Sequence, residues 1–172
     1  MTNSPVGSIW KLSPGFFSID MDVAHDRAEK FLDFFDLNDF ADELIEGYSH
    51  GMKQKLIISG ALIHNPKVLI VDEPLVRLDP KGARQVKQLF QDLCAEGTTI
   101  FLSTHSLGVV ETMCNRVRII QKGRIVAMGR VDQLRSQAQH EHGDLEEMFL
   151  KLTGDADFAP LLDSLRGKPH GQ

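Results

Sequence analysis

Two uninterrupted apolar runs, VLIV at residues 68–71 and TTIFL at 98–102, bracket a stretch in which Ala83, Val86, Phe90 and Leu93 recur at helical spacing. Continuous β-rich runs on either side of an amphipathic helix predict a parallel sheet buried on both faces. Asp79 and Pro80 open the intervening helix, the first as N-cap and the second at the first helical position, where a missing N–H is tolerated. The class is α/β, and the carboxyl ends of the two runs are where such sheets bind ligands.

Upstream, Ala28, Phe31, Leu32 and Phe35 follow the i, i+3, i+4, i+7 pattern of an amphipathic helix over 24–37. Leu56, Ile57, Ile58, Ala61, Leu62 and Ile63 are apolar on nearly every side and predict a helix over 51–64 buried all round. Downstream, a short helix at 107–114 leads into RIIQKGRIVAMG, two β-rich runs around Lys122-Gly123 that read as a hairpin. Leu145, Met148, Phe149 and Leu152 make a further helical stripe. Pro5, Gly7, Pro14 and Gly15 give residues 1–19 an irregular character, and the tail from 166 reads as loose. At 172 residues and 42% apolar, the chain has material for one domain's core.

The net charge of −5 is uneven: residues 20–46 hold ten Asp and Glu against Arg27 and Lys30, a local −8 that leaves the remainder at +3. No basic footprint for nucleic acid results, and the acidic stretch reads as a solvated helix face. Cys94 and Cys114 form no CxxC pair and no metal-ligand cluster, which fits a reduced compartment. No run approaches the length of a membrane span and no basic-then-apolar leader opens the sequence, so the expected location is cytoplasmic.

The chemistry gathers at three places. In VLIVDEP, Asp72 ends a buried strand and can hold Mg²⁺, while Glu73 can polarise an attacking water as general base; the plain alternative is a strand that ends in solvent. TIFLSTHS brings His105 to the end of the second strand, hence to the same sheet edge. In YSHGMKQ, Ser49 offers a hydroxyl, Gly51 permits close backbone approach, and the following helix presents its positive N-terminus, a combination that suits a phosphate. Alone, that stretch is an N-cap before a helix.

Taken in order, YSHGMKQ, VLIVDEP, LDP and STHS resemble the ATP-binding subunits of ABC transporters, and the hairpin with DLEEMFLKLTG is similar to the bacterial exporter-type branch, over residues 26–154. The resemblance implies a partial P-loop NTPase (RecA-like) parallel sheet with flanking helices and a C-terminal hairpin and helices, with the Walker A strand absent. It divides the chain into an irregular remnant at 1–25, part of the helical subdomain at 26–64, the Walker B and switch half of the catalytic core at 65–154, and a tail at 155–172. It implies ATP and Mg²⁺ as cofactors. It places Ser49, Gly51 and Gln54 in the signature motif that contacts ATP on the opposite subunit, Asp72 on Mg²⁺, Glu73 as catalytic glutamate, Asp79 at the dimer interface and His105 as switch histidine. The implied partners are a transmembrane permease subunit and a second ATP-binding subunit, identical or not, with the chain peripheral to the inner face of the membrane.

The sequence departs from that pattern at His50, where the family has glycine, and at LVRLDP, where TSGLDP is expected, so that Val76 and Arg77 replace small residues. It also holds no GxxxxGK[ST] loop: only Gly167 is followed by lysine, and Pro169 comes next. No glutamine precedes Gln54 to serve as the Q-loop residue. Losing three or four charge-assisted phosphate bonds costs on the order of 5 kcal/mol, over a thousandfold in affinity. The expectations are therefore poor ATP binding, marginal stability and an open sheet edge. The rival reading is a non-hydrolysing module that lends Ser49 and Gly51 to a complete partner ATPase. A soluble ABC-type protein of repair or translation would carry coiled-coil insertions or a tandem cassette, and the sequence has neither.

Overall fold

A computed structural model describes residues 19–134 and 149–150. The chain divides into two compact units, Met1–His105 and Ser106–Gln172.

In the first unit, helix α1 spans Met21–Phe34, with the Asp20 carboxylate accepting from the Asp22 and Val23 amides. The helix begins earlier and ends sooner than its apolar spacing predicts, because Asp20 is the better cap and Asp36 takes a left-handed φ of 57° that stops it. Ala24, Ala28 and Leu32 form its buried stripe. Two 3₁₀ turns, Asn38–Phe40 and Ile45–Gly47, lead to helix α2 at His50–Leu62. Just after the second turn the Tyr48 hydroxyl donates back to the Phe40 carbonyl of the first at 2.6 Å, which anchors the connection.

Helix α2 buries Leu56, Ile58, Ser59 and Leu62, but Ile57 is 65% exposed. The expectation of burial on every side is thus corrected: apolar residues wrap the helix, and only one side of it meets α1 and the next helix. Strand β1 (Val68–Asp72), helix α3 (Pro80–Ala95) and strand β2 (Thr99–Ser103) follow, and β1 pairs with β2 in parallel from Val68↔Thr99 to Asp72↔Ser103. Val86 and Phe90 of α3 are buried where it packs against β2. The predicted burial of both sheet faces does not hold. Leu69 is buried, while Val68, Ile70 and Phe101 are 53%, 79% and 56% exposed, because no described element of this unit covers their side of the pair.

Helix α3 is tied to the end of α1 by polar bonds: Lys81 Nζ lies 2.8 Å from Asp36 Oδ2, and Gln85 Nε2 donates to the Phe34 carbonyl at 2.6 Å. At its start Asp79 is the N-cap, with Oδ1 accepting from the Gly82 amide at 3.2 Å, and Pro80 follows as expected. A Cβ on Gly82 would fall 2.7 Å from that carboxylate oxygen and 2.8 Å from Lys55 Cε. Alanine in an open helix gains about 1 kcal/mol over glycine. Here it displaces a cap worth about 1 kcal/mol and crowds Lys55. Gly82→Ala is therefore expected to lower the melting temperature, and a rise in a thermal melt would contradict the packing.

In the second unit, helix α4 (Leu107–Met113) precedes an antiparallel hairpin of β3 (Arg116–Gln121) and β4 (Arg124–Arg130). Lys122 and Gly123 turn it with φ of 48° and 74°, the twist-matched two-residue connection that the Lys-Gly pair predicts. Phe149 and Leu150 are helical. The remainder of the stripe at Leu145, Met148 and Leu152, residues 1–18 and the 155–172 tail lie outside the described residues.

Candidate functional site

The register of the parallel pair decides which side chains meet. With Asp72 opposite Ser103, both strands end at the same level, and the residues just past them converge. The Ser103 hydroxyl donates to Asp72 Oδ1. Carboxylate and hydroxyl oxygens are hard donors that suit Mg²⁺. Among the described residues no cluster of three or more His, Cys, Asp or Glu could cage an ion unaided. One carboxylate beside a hydroxyl is a donor set that Mg²⁺ can use together with substrate phosphates and water.

Glu73 continues the ladder, its N–H donating to the Ser103 carbonyl at 2.9 Å, and then turns away with φ 45°. A non-glycine residue there costs about 1–3 kcal/mol, and such strain concentrates at functional sites. The turn is held by its side chain. Oε2 accepts from the Thr104 hydroxyl at 3.0 Å, while Oε1 accepts from the His105 N–H at 2.8 Å and lies 2.6 Å from His105 Nδ1. A carboxylate only accepts, so Nδ1 carries the proton and Nε2 of this exposed ring is left facing solvent. Burial pushes the Glu73 carboxyl up, but the bonds from His105 and Thr104 together outweigh it and hold the group below its ordinary range. The Glu73 carboxylate is thus ionised at neutral pH.

Ser49, Gly51 and Gln54 occupy the start of α2. The Ser49 hydroxyl accepts from the Met52 amide at 3.2 Å as N-cap. A Cβ on Gly51 would stand 3.1 Å from the Arg77 carbonyl oxygen, so here glycine permits the approach of the loop that leaves Glu73. Gln54 reaches back along the helix, its Nε2 3.5 Å from the Pro74 carbonyl. The structure thus sets two pairings at one sheet edge, Asp72 with Ser103 and Glu73 with Thr104 and His105, and joins the α2 segment to that edge through residues 74–78. Asp79 is engaged as the cap of α3. Sequence reasoning missed Ser103 and Thr104, although aligning VLIVD with TIFLS end to end would have placed both beside the acidic pair.

The family model described as ABC transporter matches residues 5–76. A daunorubicin resistance ATP-binding protein, DrrA3 of Streptomyces coeruleorubidus, is 33% identical over 144 residues, 84% of this chain and 45% of the relative. A fluoroquinolones export ATP-binding protein of Mycobacterium tuberculosis is 41% identical over 130 residues, 70% of this chain and 43% of the relative. Among solved structures, an ATP binding subunit of an ABC transporter superposes with a TM-score of 0.79 at 28% identity, covering 89% of this chain and 64% of that one. The chain belongs to the family of ABC transporter ATP-binding proteins. Its fold is the α/β architecture of the ABC ATPases, and a dimeric ATP-binding cassette bound to ADP and Pi matches at a TM-score of 0.56 and 26% identity over 62% of this chain. The chain spans about half the length of the curated ABC relatives it matches. No described helix is long and apolar enough to cross a membrane.

Proposed function

We propose that this chain contributes one side of each of two ATP sites in an ABC-type exporter: Glu73 polarises water at one, and at the other Ser49 and Gly51 are offered to a nucleotide held by a second ATP-binding subunit. The observation that carries the reading is the arrangement at the sheet edge, where an ionised Glu73 in a left-handed turn is held by His105 and Thr104 beside Asp72 and Ser103. In hydrolysis, water attacks the γ-phosphorus as the bond to the β-phosphate bridging oxygen breaks, giving ADP and phosphate. Glu73 orients that water and accepts its proton, and the His105 imidazole keeps the carboxylate in place. Asp72 and Ser103 would hold Mg²⁺, which supplies charge neutralisation to the phosphates when bound. The N-terminus of α2, capped by Ser49, would meet the phosphates of the nucleotide held by the second subunit. The relatives' names include daunorubicin resistance and fluoroquinolones export, and export through a transmembrane permease subunit, from the cytoplasmic face, is the transport reading adopted here.

A second reading rests on the start of α2 alone, where Ser49 caps the helix and Gly51 leaves room for a close backbone approach. In it the chain is a non-hydrolysing module that lends its α2 segment to a complete partner. Calorimetry of the purified chain with Mg²⁺ and millimolar ATP, with Glu73→Gln alongside to block turnover, is the test. No heat is expected from the chain alone, with turnover appearing only when a subunit bearing a phosphate loop is added and vanishing with Glu73→Gln. Turnover in that mixture unchanged by Glu73→Gln would support the second reading. Binding by the chain alone at roughly 10–100 μM or tighter, only about 5.5–7 kcal/mol, would already overturn the one-sided site.

A further inference from the structure

We propose that Thr104 is a positioning residue: its hydroxyl fixes the plane of the Glu73 carboxylate, and so the direction from which Glu73 takes the proton of the attacking water. This rests on the reading that Glu73 is the general base. The backbone of Glu73 is already set, since its N–H donates to the Ser103 carbonyl at 2.9 Å and its φ is 45°. The end of the side chain is not. The terminal torsion of a glutamate joins an sp³ to an sp² carbon and has no sharp staggered wells, so bonding partners set the carboxylate plane. His105 supplies two of them, and both go to one oxygen: Oε1 accepts from the His105 N–H at 2.8 Å and lies 2.6 Å from Nδ1. Two bonds at one atom anchor that atom and leave the other oxygen free to swing about it. The Thr104 hydroxyl, donating to Oε2 at 3.0 Å, is the bond that stops the swing.

The same bonds divide the lone pairs. A carboxylate offers about four acceptor directions, two on each oxygen. Both on Oε1 are filled by His105, and Thr104 fills one on Oε2, which leaves the second direction on Oε2 for a water O–H. Proton transfer needs the water within about 2.6–3.2 Å of that oxygen, and a swung carboxylate would carry its open lone pair away from that point. The end of β2 is built to supply this hold. Successive strand residues face opposite sides, so Ser103 serves Asp72 while the next residue serves Glu73, and neither carboxylate shares the other's hydroxyl. A β-branched side chain is also stiff at χ1, so threonine holds its hydroxyl with less freedom than serine would.

The test joins two measurements on the full chain. Urea unfolding of the unaltered chain, Thr104→Val, Glu73→Ala and the double variant closes a cycle that needs no nucleotide. Thr104→Val should lower the folding equilibrium constant about fivefold more in the unaltered chain than in Glu73→Ala, an ordinary coupling for two groups in contact. Independent effects would mean that the bond is not made in solution, and would overturn the proposal. In steady-state turnover of the assembled ATPase, Thr104→Val should reduce kcat about tenfold, the lower end of what one hydrogen bond to a charged group supplies, with KM for ATP unmoved. Thr104→Ser keeps the hydroxyl and should recover most of the rate. On a Glu73→Gln background Thr104→Val should cause no further loss, because the base it aims is gone, whereas damage spread through the site would multiply the two effects. Unmoved kcat in Thr104→Val, an equal loss in Thr104→Ser, or a multiplied loss in the double variant would each refute the positioning role. No turnover even in the unaltered assembly would count against the ATP reading, and the role of Thr104 would fall with it; the unfolding cycle tells that failure apart from a bond that is not made.

Discussion

Glu73→Gln is expected to reduce ATP turnover by the assembled transporter ATPase about 10²–10⁴-fold, the usual contribution of a positioned general base, while leaving the chain folded. Glutamine keeps the size of the side chain, and its amide oxygen can still accept from the His105 N–H now bonded at 2.8 Å. What it loses is basicity. The same substitution tests the electrostatics. Because the Glu73 carboxyl is held below its ordinary range, the stabilisation it provides is present above the unfolded value, about 4.3, and is lost as pH falls through the lower folded value. Melting temperatures of the unaltered chain and of the Glu73→Gln variant should therefore differ at pH 7 and converge below about pH 4. A constant difference across that window would mean that the bonds from His105 and Thr104 do not depend on the charge of Glu73. Turnover reduced less than tenfold would remove Glu73 from the role of base.

Much of this was legible because it is governed by period and spacing. The VLIV and TIFL runs fix two strands, the stripe at Val86 and Phe90 fixes the helix between them, and that order alone sends Glu73 and His105 to one edge. Asp79-Pro80 and Lys122-Gly123 are local chemistry and fall where expected. What was not legible depends on partners distant in sequence. An apolar strand reads the same whether one face or both are covered, so the exposure of Ile70 and Phe101 has no sequence signal. The same holds for Ile57 on α2. The left-handed turns at Glu73 and Arg77 use residues that give no hint of positive φ, since glycine would be the ordinary choice. Arg77 Nη1 and His50 Nδ1 lie 3.4 Å apart across 27 positions of sequence, so nothing local to either residue could announce their contact.

That division predicts a sharp contrast between two apolar residues of the same unit. Phe90→Ala is expected to destabilise the first unit by about 3–5 kcal/mol. Phe90 is 2% exposed, and it sits one helical turn from the fully buried Val86 on the side of α3 that packs against β2. Removing the ring takes away transfer free energy and leaves a void that two strands and a helix cannot easily close. A small domain holds only about 5–15 kcal/mol in total, so the urea midpoint should fall steeply with the slope retained. Ile70→Ala, in the middle of β1, should by contrast change stability by less than about 0.5 kcal/mol, the ordinary range for a surface position. Its side chain is already 79% exposed and loses little burial on truncation. The second result is the more informative. A cost above about 2 kcal/mol would be that of a core residue, and it would mean that the bare face of the sheet is covered in solution and that the core extends across both sides of β1.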